Sequence, residues 1–244
     1  MDLTGLSPEE IAVRATRRAL AFAYIRGEGM EVGSGDRPVP LPEGAICHYG
    51  DIRDSEALEK YFGAGTAAKT PIPSFVDAQT FGGVPDNLLD FVISGHVIEH
   101  LPDALGAISH AVRVLKPGGI FMLILPDKRY TFDHGRPLTP LSHLIEDAKD
   151  GGRGTMLEAY REVGRHNHNW GGRMPTPGEL DEYANGCVSA RMDAHFHTWD
   201  TNSFREMIEH LTTILPIECL ALVPIYNENI AMIRKVSGIR PLST

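Results

Sequence analysis

Two glycines and two carboxylates stand where short apolar runs end, and together they are suited to hold a nucleoside. Glu31 comes just before Gly33 and Gly35. Asp51 closes the next apolar run. Glycines let the backbone approach a ligand closely, and an acid at the tip of the next strand can accept hydrogen bonds from two ribose hydroxyls. A glycine turn that binds no ligand is the alternative interpretation.

The glycine pattern departs from the one that binds dinucleotides. G-x-G-x-x-G requires a third glycine, and Pro38 occupies that position here. The third glycine lets a helix pack close behind a pyrophosphate. A nucleoside ligand without a pyrophosphate does not need it, so the sequence favours a ligand of that kind.

A second pattern, H-x-x-E-H, is formed by His96, Glu99 and His100. On one face of an α-helix, His96 and His100 could ligate zinc while Glu99 acts as a general base, as in zinc peptidases. The pattern directly follows residues 90–94, a short apolar run typical of a parallel strand buried on both faces. A zinc hydrolase is therefore one function class that the sequence leaves open.

His195, His197 and Asp127 are the candidates for acting on a substrate proton. His195 and His197 would point the same way in an extended segment, and histidine titrates near neutral pH. Asp127 follows the apolar run 120–125, and charged residues at the carboxyl ends of parallel strands face the ligand crevice. Two alternatives remain: the histidines could bind a divalent metal with Asp127 or Asp200, or hold their segment by hydrogen bonds.

The elements that would position these residues alternate between apolar runs and helical periodicity, which predicts an α/β fold with a parallel sheet. Strands are predicted at residues 30–32, 46–50, 75–77, 90–94, 120–125, 217–223 and 230–236. Helices are predicted to begin at Ser7, Asp103 and Ser203, with shorter helical stretches at 138–148 and 155–163.

We expect one domain of four parts. Residues 1–27 form an N-terminal helix and residues 28–126 the ligand-binding core. Residues 127–199 are dense in glycine, proline, histidine and arginine and are predicted to form an inserted, mainly helical substrate lid. Residues 200–244 supply the last helix and the last two strands.

Three segments together resemble the class I S-adenosylmethionine-dependent methyltransferases, of the methyltransferase type 11-like family. They are Val76-Asp77-Ala78, residues 85–101, and Arg113-Val114-Leu115-Lys116-Pro117-Gly118-Gly119. The resemblance covers about residues 29–126, with a return at 203–236. It implies a Rossmann-like, doubly wound sheet of seven strands, with S-adenosylmethionine across the strand tips and S-adenosylhomocysteine as the product.

The resemblance also implies roles for single residues. The glycine turn would contact the methionine part of the cofactor, Asp51 the ribose and Asp77 the adenine amino group. Glu99 and His100 would hold their loop and helix in place, as in relatives without zinc. The cofactor-binding candidates are Glu31, Gly33, Ser34, Gly35, Asp51, Asp77, Ala78, Ser94, Gly95 and His96.

Composition excludes several other classes of protein. The 244 residues carry 23 Lys plus Arg against 32 Asp plus Glu, a formal charge of −9, which disfavours a nucleic-acid partner because phosphate contacts need a basic face. The longest apolar run, residues 120–125, is too short to span a membrane, and the first residues do not resemble a secretory signal. Three scattered cysteines favour a reducing cytoplasm. A homodimer is left open.

These observations predict methyl transfer from S-adenosylmethionine, with the hydroxyl of a small molecule or sugar as acceptor. The base candidates favour oxygen as the methylated atom, because an alcohol must lose a proton. By analogy, the acceptor belongs to a surface polysaccharide or a secondary metabolite. No metal is predicted, although a divalent ion is left open. The alternatives are the zinc hydrolase and a protein that binds the cofactor without turnover.

Overall fold

A sheet of seven strands carries the fold in the computed structural model, which describes residues 5–63 and 74–238. The strands are β1 (Glu28–Val32), β2 (Ile46–Asp51), β3 (Ser74–Phe75), β4 (Leu89–Gly95), β5 (Leu115–Pro126), β6 (Ile217–Ile225) and β7 (Glu228–Lys235). Their order is β3-β2-β1-β4-β5-β7-β6. β1 to β5 pair in parallel, whereas β7 runs antiparallel to both of its neighbours. The predicted seven-stranded sheet is confirmed.

Seven α-helices connect or flank the strands in the described part of the chain. They are α1 (Pro8–Tyr24), α2 (Ser55–Phe62), α3 (Ala104–Val114), α4 (Leu141–Asp147), α5 (Met156–Asn167), α6 (Pro177–Ala190) and α7 (Thr201–Ile214). α1 begins as its sequence predicts, because Ser7 and Glu10 form a capping box around Pro8 at the first helical position. No helix of the described residues is long and apolar enough to cross a membrane.

One face of the sheet packs against α1. Ile120, Met122 and Ile124 alternate along β5 and share a buried cluster with Ala21 and Ile25 at the end of the helix. Side chains two positions apart point to the same face of a strand. Burying each such aliphatic side chain stabilises the fold by about 1.5–3 kcal/mol, so this face anchors α1 beside the sheet.

The opposite face of β5 packs against α3 and α7. Phe121, Leu123 and Leu125 join Ile108 of α3 and Phe204 of α7 in the largest buried cluster. Strand β5 is therefore buried on both faces, as its continuous apolar sequence predicts. Helices on both faces of the sheet confirm the doubly wound arrangement.

The segment between β5 and α7 is helical, as predicted, but its helices differ from the expected ones. Two 3₁₀-helices (Lys128–Tyr130 and Phe132–Gly135) precede α4, α5 and α6. α5 and α6 pack around a small core of their own that includes Tyr160, Ala184 and Phe196. That this segment acts as a lid remains a prediction.

Candidate functional site

A cleft of about 660 Å³ opens at the carboxyl ends of β1, β2 and β4. In parallel sheets this is the edge where ligands bind. Of the predicted cofactor-binding residues, Ser94 does not reach the cleft, because its side chain is fully buried beneath it. The predicted residues that line the cleft are Glu31, Gly33, Ser34, Gly35, Asp51, Asp77, Ala78, Gly95 and His96.

The turn after β1 requires glycine at Gly33. Its φ of +64° is left-handed, and a Cβ there would lie 2.4 Å from Cγ2 of Val97. The backbone N–H of Gly33 donates to the carbonyl of Gly50 at the end of β2, at 2.9 Å. No helix begins after this turn at Pro38, and the chain runs directly on toward β2. The backbone of this turn therefore forms part of the wall of the cleft.

The side chain of Glu31 stabilises the same turn through hydrogen bonds. Its two carboxylate oxygens accept from the backbone N–H of Val39 at 3.2 and 3.1 Å. Burial raises the pKa of Glu31 to about 8, and the opposing effects of the Val39 N–H and of Arg17 are smaller. A pKa of about 8 favours the protonated carboxyl of Glu31 at neutral pH.

Asp51 and Asp77 each use one carboxylate oxygen in a local turn. Oδ1 of Asp51 accepts from the backbone N–H of Arg53, and Oδ1 of Asp77 accepts from that of Gln79, both at 2.8 Å. Burial raises the pKa of Asp51, although contacts with Arg53 oppose this. These turns hold both carboxyl groups against the cleft with Oδ2 as the remaining acceptor.

Arg17 and Glu228 also line the cleft, and no sequence pattern predicts either of them as a site residue. Nε of Arg17 donates to Oε2 of Glu228 at 2.8 Å, and Nε2 of His96 lies 3.0 Å from Oε1 of the same carboxylate. Burial disfavours the charged imidazole, but Glu228 and Glu99 outweigh it and raise the pKa of His96 to about 9. Arg17 and Glu228 are 211 positions apart, so no local sequence pattern could predict that they pair.

The H-x-x-E-H pattern does not form the helix that zinc peptidases use. His96 has a left-handed φ of +56°, and only Ile98–His100 is helical, as a single 3₁₀ turn. The two histidines face different carboxylates, because His100 pairs with Asp193 through Nδ1 at 2.7 Å, whereas His96 pairs with Glu228. The zinc hydrolase alternative is therefore not favoured.

His195 does not line the cleft itself but contacts a residue that does. Its ring contacts the ring of His100 edge-on, with centroids 4.6 Å apart, and His100 lines the cleft. Nδ1 of His195 lies 2.5 Å from Oδ2 of Asp133. Burial raises the pKa of Asp133, but His195 and Arg136 outweigh this effect and lower it to about 2, so an ionised carboxylate orients the imidazole.

His197 and Asp127, the other two residues proposed to act on a proton, do not line the cleft. His197 is buried beside Asp147, with 3.4 Å between Nε2 and Oδ2, and burial is the largest cause that lowers its pKa to about 3. Asp127 accepts from Nε of Arg129 at 2.9 Å and from the hydroxyl of Thr201. Their burial and partners indicate structural positions rather than contact with a substrate.

Comparison with known proteins agrees with this geometry. Residues 56–123 match a family model described as a methyltransferase domain. A probable S-adenosylmethionine-dependent methyltransferase of Mycolicibacterium smegmatis is 46% identical over 59 residues, which cover 23% of each protein. A ubiquinone biosynthesis O-methyltransferase of Paramagnetospirillum magneticum is 47% identical over 38 residues, which cover 16% of this chain and 15% of that protein. The matches therefore span less than a quarter of the curated relatives.

The likeness in fold extends over 94% of the chain. A Haloferax volcanii complex of a methyltransferase activator with a candidate methyltransferase contains a chain that matches with a TM-score of 0.52 at 11% identity. The match covers 94% of this chain and 92% of that one, and at this identity it shows the fold alone. The matched segment and the sheet topology support a class I S-adenosylmethionine-dependent methyltransferase, with S-adenosylmethionine as the cofactor.

Proposed function

We propose that this protein transfers the methyl group of S-adenosylmethionine to a hydroxyl oxygen of a small molecule or a sugar. The observation that carries the proposal is the cleft in which Gly33, Asp51 and Asp77 lie together at the carboxyl ends of the strands. Family and fold support methyl transfer. The histidine pair beside the cleft, His100 and His195, supports a hydroxyl acceptor, because an alcohol must lose a proton.

The cleft residues fit the cofactor in several respects. Only glycine fits the turn at Gly33, so backbone rather than side chain would contact the methionine part. Oδ2 of Asp51 is the acceptor for a ribose hydroxyl and Oδ2 of Asp77 for the adenine amino group. Glu31 would act indirectly, because its oxygens already hold the turn at Val39.

When bound, S-adenosylmethionine supplies an electrophilic methyl group. As the acceptor oxygen is methylated, its O–H bond breaks and one proton leaves for each turnover. His195, oriented by the carboxylate of Asp133, is the residue that we propose to assist this loss. His96 is unsuited to remove a proton at neutral pH, because its pKa of about 9 keeps it charged.

We infer further that the acceptor is a sugar of a surface polysaccharide or a secondary metabolite, and that the reaction takes place in the cytoplasm. The three cysteines, Cys47, Cys187 and Cys219, are free thiols, which a reducing compartment maintains. The exposed ring of Phe132 lies 4.7 Å from His195 and offers an apolar face on which a sugar could stack.

Calorimetric titration with S-adenosylmethionine tests the cofactor site. We expect Asp51→Ala to weaken binding about tenfold or more, since a hydrogen bond to a charged group contributes about 1.5–3 kcal/mol. Asp86→Ala is the matched control, because Asp86 is an exposed carboxylate that pairs with Arg113 outside the cleft. Equal affinities in wild type and Asp51→Ala would contradict the proposed site.

Transfer of a labelled methyl group to a panel of sugars and phenols tests the activity. Label that appears in an ether product supports the proposed reaction. Binding of S-adenosylmethionine without label transfer to any hydroxyl, amine or carboxylate would favour the alternative of a binding protein without turnover. Label on nitrogen alone would retain methyl transfer and overturn the hydroxyl acceptor.

A further inference from the structure

Glu99 is a fully buried carboxylate without a hydrogen-bond partner. Neither oxygen accepts a hydrogen bond from any of the described residues. The nearest cation is His96, with 3.4 Å between Nδ1 and Oε1, which is longer than a well-formed hydrogen bond. An ionised carboxylate inside a protein is stable only when it is paired and hydrogen-bonded, and the contact with His96 supplies the charge without a well-formed hydrogen bond, so Glu99 still has room for a further ligand.

Two imidazoles stand beside the unpartnered carboxylate. Glu99, His100 and His195 each offer a ligand atom, and these atoms lie within 4.8 Å of one another. The residues come from two distant segments of the chain. A backbone hydrogen bond joins these segments, because the carbonyl of Glu99 accepts from the N–H of Phe196 at 2.7 Å. A tetrahedral zinc ion spaces nitrogen and oxygen ligands by roughly 3.4 Å, so side-chain shifts on the order of 1 Å would close the group around an ion.

Both imidazoles are oriented as metal ligands usually are. Nδ1 of His100 pairs with Asp193 at 2.7 Å, and Nδ1 of His195 pairs with Asp133 at 2.5 Å. A histidine that binds a metal through one ring nitrogen commonly donates the other N–H to a carboxylate, which fixes its tautomer. In this arrangement Nε2 of each ring is the nitrogen that can bind an ion.

We propose that Glu99, His100 and His195 bind a divalent first-row transition-metal ion, such as Zn²⁺, beside the cofactor cleft. Two imidazoles and one carboxylate form a ligand set that suits such ions and leaves coordination positions open. The set differs from the one predicted for a zinc peptidase, because Glu99 is a ligand rather than a base and His96 is not part of it.

The place of this site gives the ion a role that rests on the proposed function. His100 lines the cleft together with Gly95 and His96, two of the cofactor-binding candidates. An ion on His100 could bind the acceptor oxygen and lower the pKa of its proton, which then passes to water as the oxygen–methyl bond forms. His195 would thereby assist proton loss through the ion and not as a free base.

The site is tested by titrating the chelator-treated, full-length protein with Zn²⁺ in a calorimeter, and with Co²⁺ to follow its visible absorption. We expect one ion per chain in the wild type and a severe loss of affinity in His195→Ala and Glu99→Gln. Asp193→Asn should weaken Zn²⁺ binding about 10–100-fold, as loss of an orienting carboxylate does elsewhere. His48→Ala is the matched control, because it removes an imidazole that pairs with Glu28 outside the group.

Absence of Zn²⁺ and Co²⁺ binding by the wild type, or equal affinity in wild type and His195→Ala, would overturn the inference. Glu99→Gln carries weight only if its thermal unfolding remains cooperative, and His195→Ala and Asp193→Asn provide the test if it does not. Titration with S-adenosylmethionine on the same samples separates the two proposals. Cofactor binding without metal binding would overturn the metal site alone and leave the methyltransferase proposal in place.

Discussion

Arg17 and Glu228 join the first helix to the last strand across the cofactor cleft. Nε of Arg17 donates to Oε2 of Glu228 at 2.8 Å, and the two residues are 211 positions apart in sequence. The carboxylate is almost fully buried, whereas the guanidinium is partly exposed. This contact therefore links the stability of the fold to the shape of the cleft.

Replacing Arg17 by Met should lower the free energy of unfolding by about 1.5–3 kcal/mol, the range for hydrogen bonds to charged groups. Glu228 would keep His96 as a partner, which limits the cost. Urea unfolding followed by circular dichroism measures the change. Adding Glu228→Gln should recover part of it, because an amide needs no countercharge. Arg14→Met on the same helix is the control, and an equal loss there would refute a specific role for the pair.

Protonation of Glu31 should make stability depend on pH. Its pKa is about 8 when folded against an ordinary value of 4.5, so between these values the folded state binds a proton that the unfolded state has released. The contribution of Glu31 to stability is complete below pH 4.5 and is lost as the pH rises through 8. Its slope is about −1.4 kcal/mol per pH unit. Urea unfolding of Glu31→Gln should lack this component, and identical slopes in both proteins would contradict it.

Gly33→Ala should destabilise the protein and block cofactor binding. The left-handed φ alone costs about 1–2 kcal/mol, and contact with Val97 adds to it. Gly44→Ala is the matched control, because Gly44 also has a left-handed φ, of +85°, but has no atom within 4 Å of the new Cβ. Unfolding and S-adenosylmethionine titration should show the backbone cost in both variants and loss of binding only at Gly33.

The two histidines of the segment 195–197 should differ in their effect on turnover. His195→Ala should lower methyl transfer about 100-fold or more, the usual range for a group that assists proton transfer. His197→Phe should retain the wild-type rate to within about twofold, because His197 is buried beside Asp147 and does not line the cleft. Single-turnover rates with saturating cofactor measure both variants. A large loss in His197→Phe with normal folding would contradict this assignment.

The position of Gly33 and Asp51 in the cleft could be predicted from sequence because the signals are local. Gly33 and Asp51 each stand directly at the end of an apolar run, and the parallel sheet brings those ends together without further information. β5 was predictable for a similar reason, since its apolar sequence admits burial on both faces. The predicted third strand, 75–77, was shorter in the structure, where Ser74 and Phe75 pair with β2.

Other features were missed for two different reasons. α6 is absent from the predicted helices although it has a local signal, because Thr176 and Glu179 form a capping box around Pro177. The contacts of Glu228 with Arg17 and of His195 with Asp133 have no local signal, since only the tertiary fold brings them together. The helix that the zinc-peptidase alternative requires at H-x-x-E-H does not form, because the backbone at His96 adopts the left-handed conformation as it leaves β4.

The antiparallel strand β7 has a consequence for biosynthesis. It is inserted between β5 and β6, and its first residue, Glu228, completes the wall of the cleft. Once residues 1–200 have been synthesised, Gly33, Asp51 and Asp77 are present, yet the polypeptide still lacks the strand that secures His96 and Arg17. Affinity for the cofactor should therefore arise only when the hairpin of β6 and β7 docks onto the sheet. The cofactor could not stabilise a chain that still lacks this hairpin.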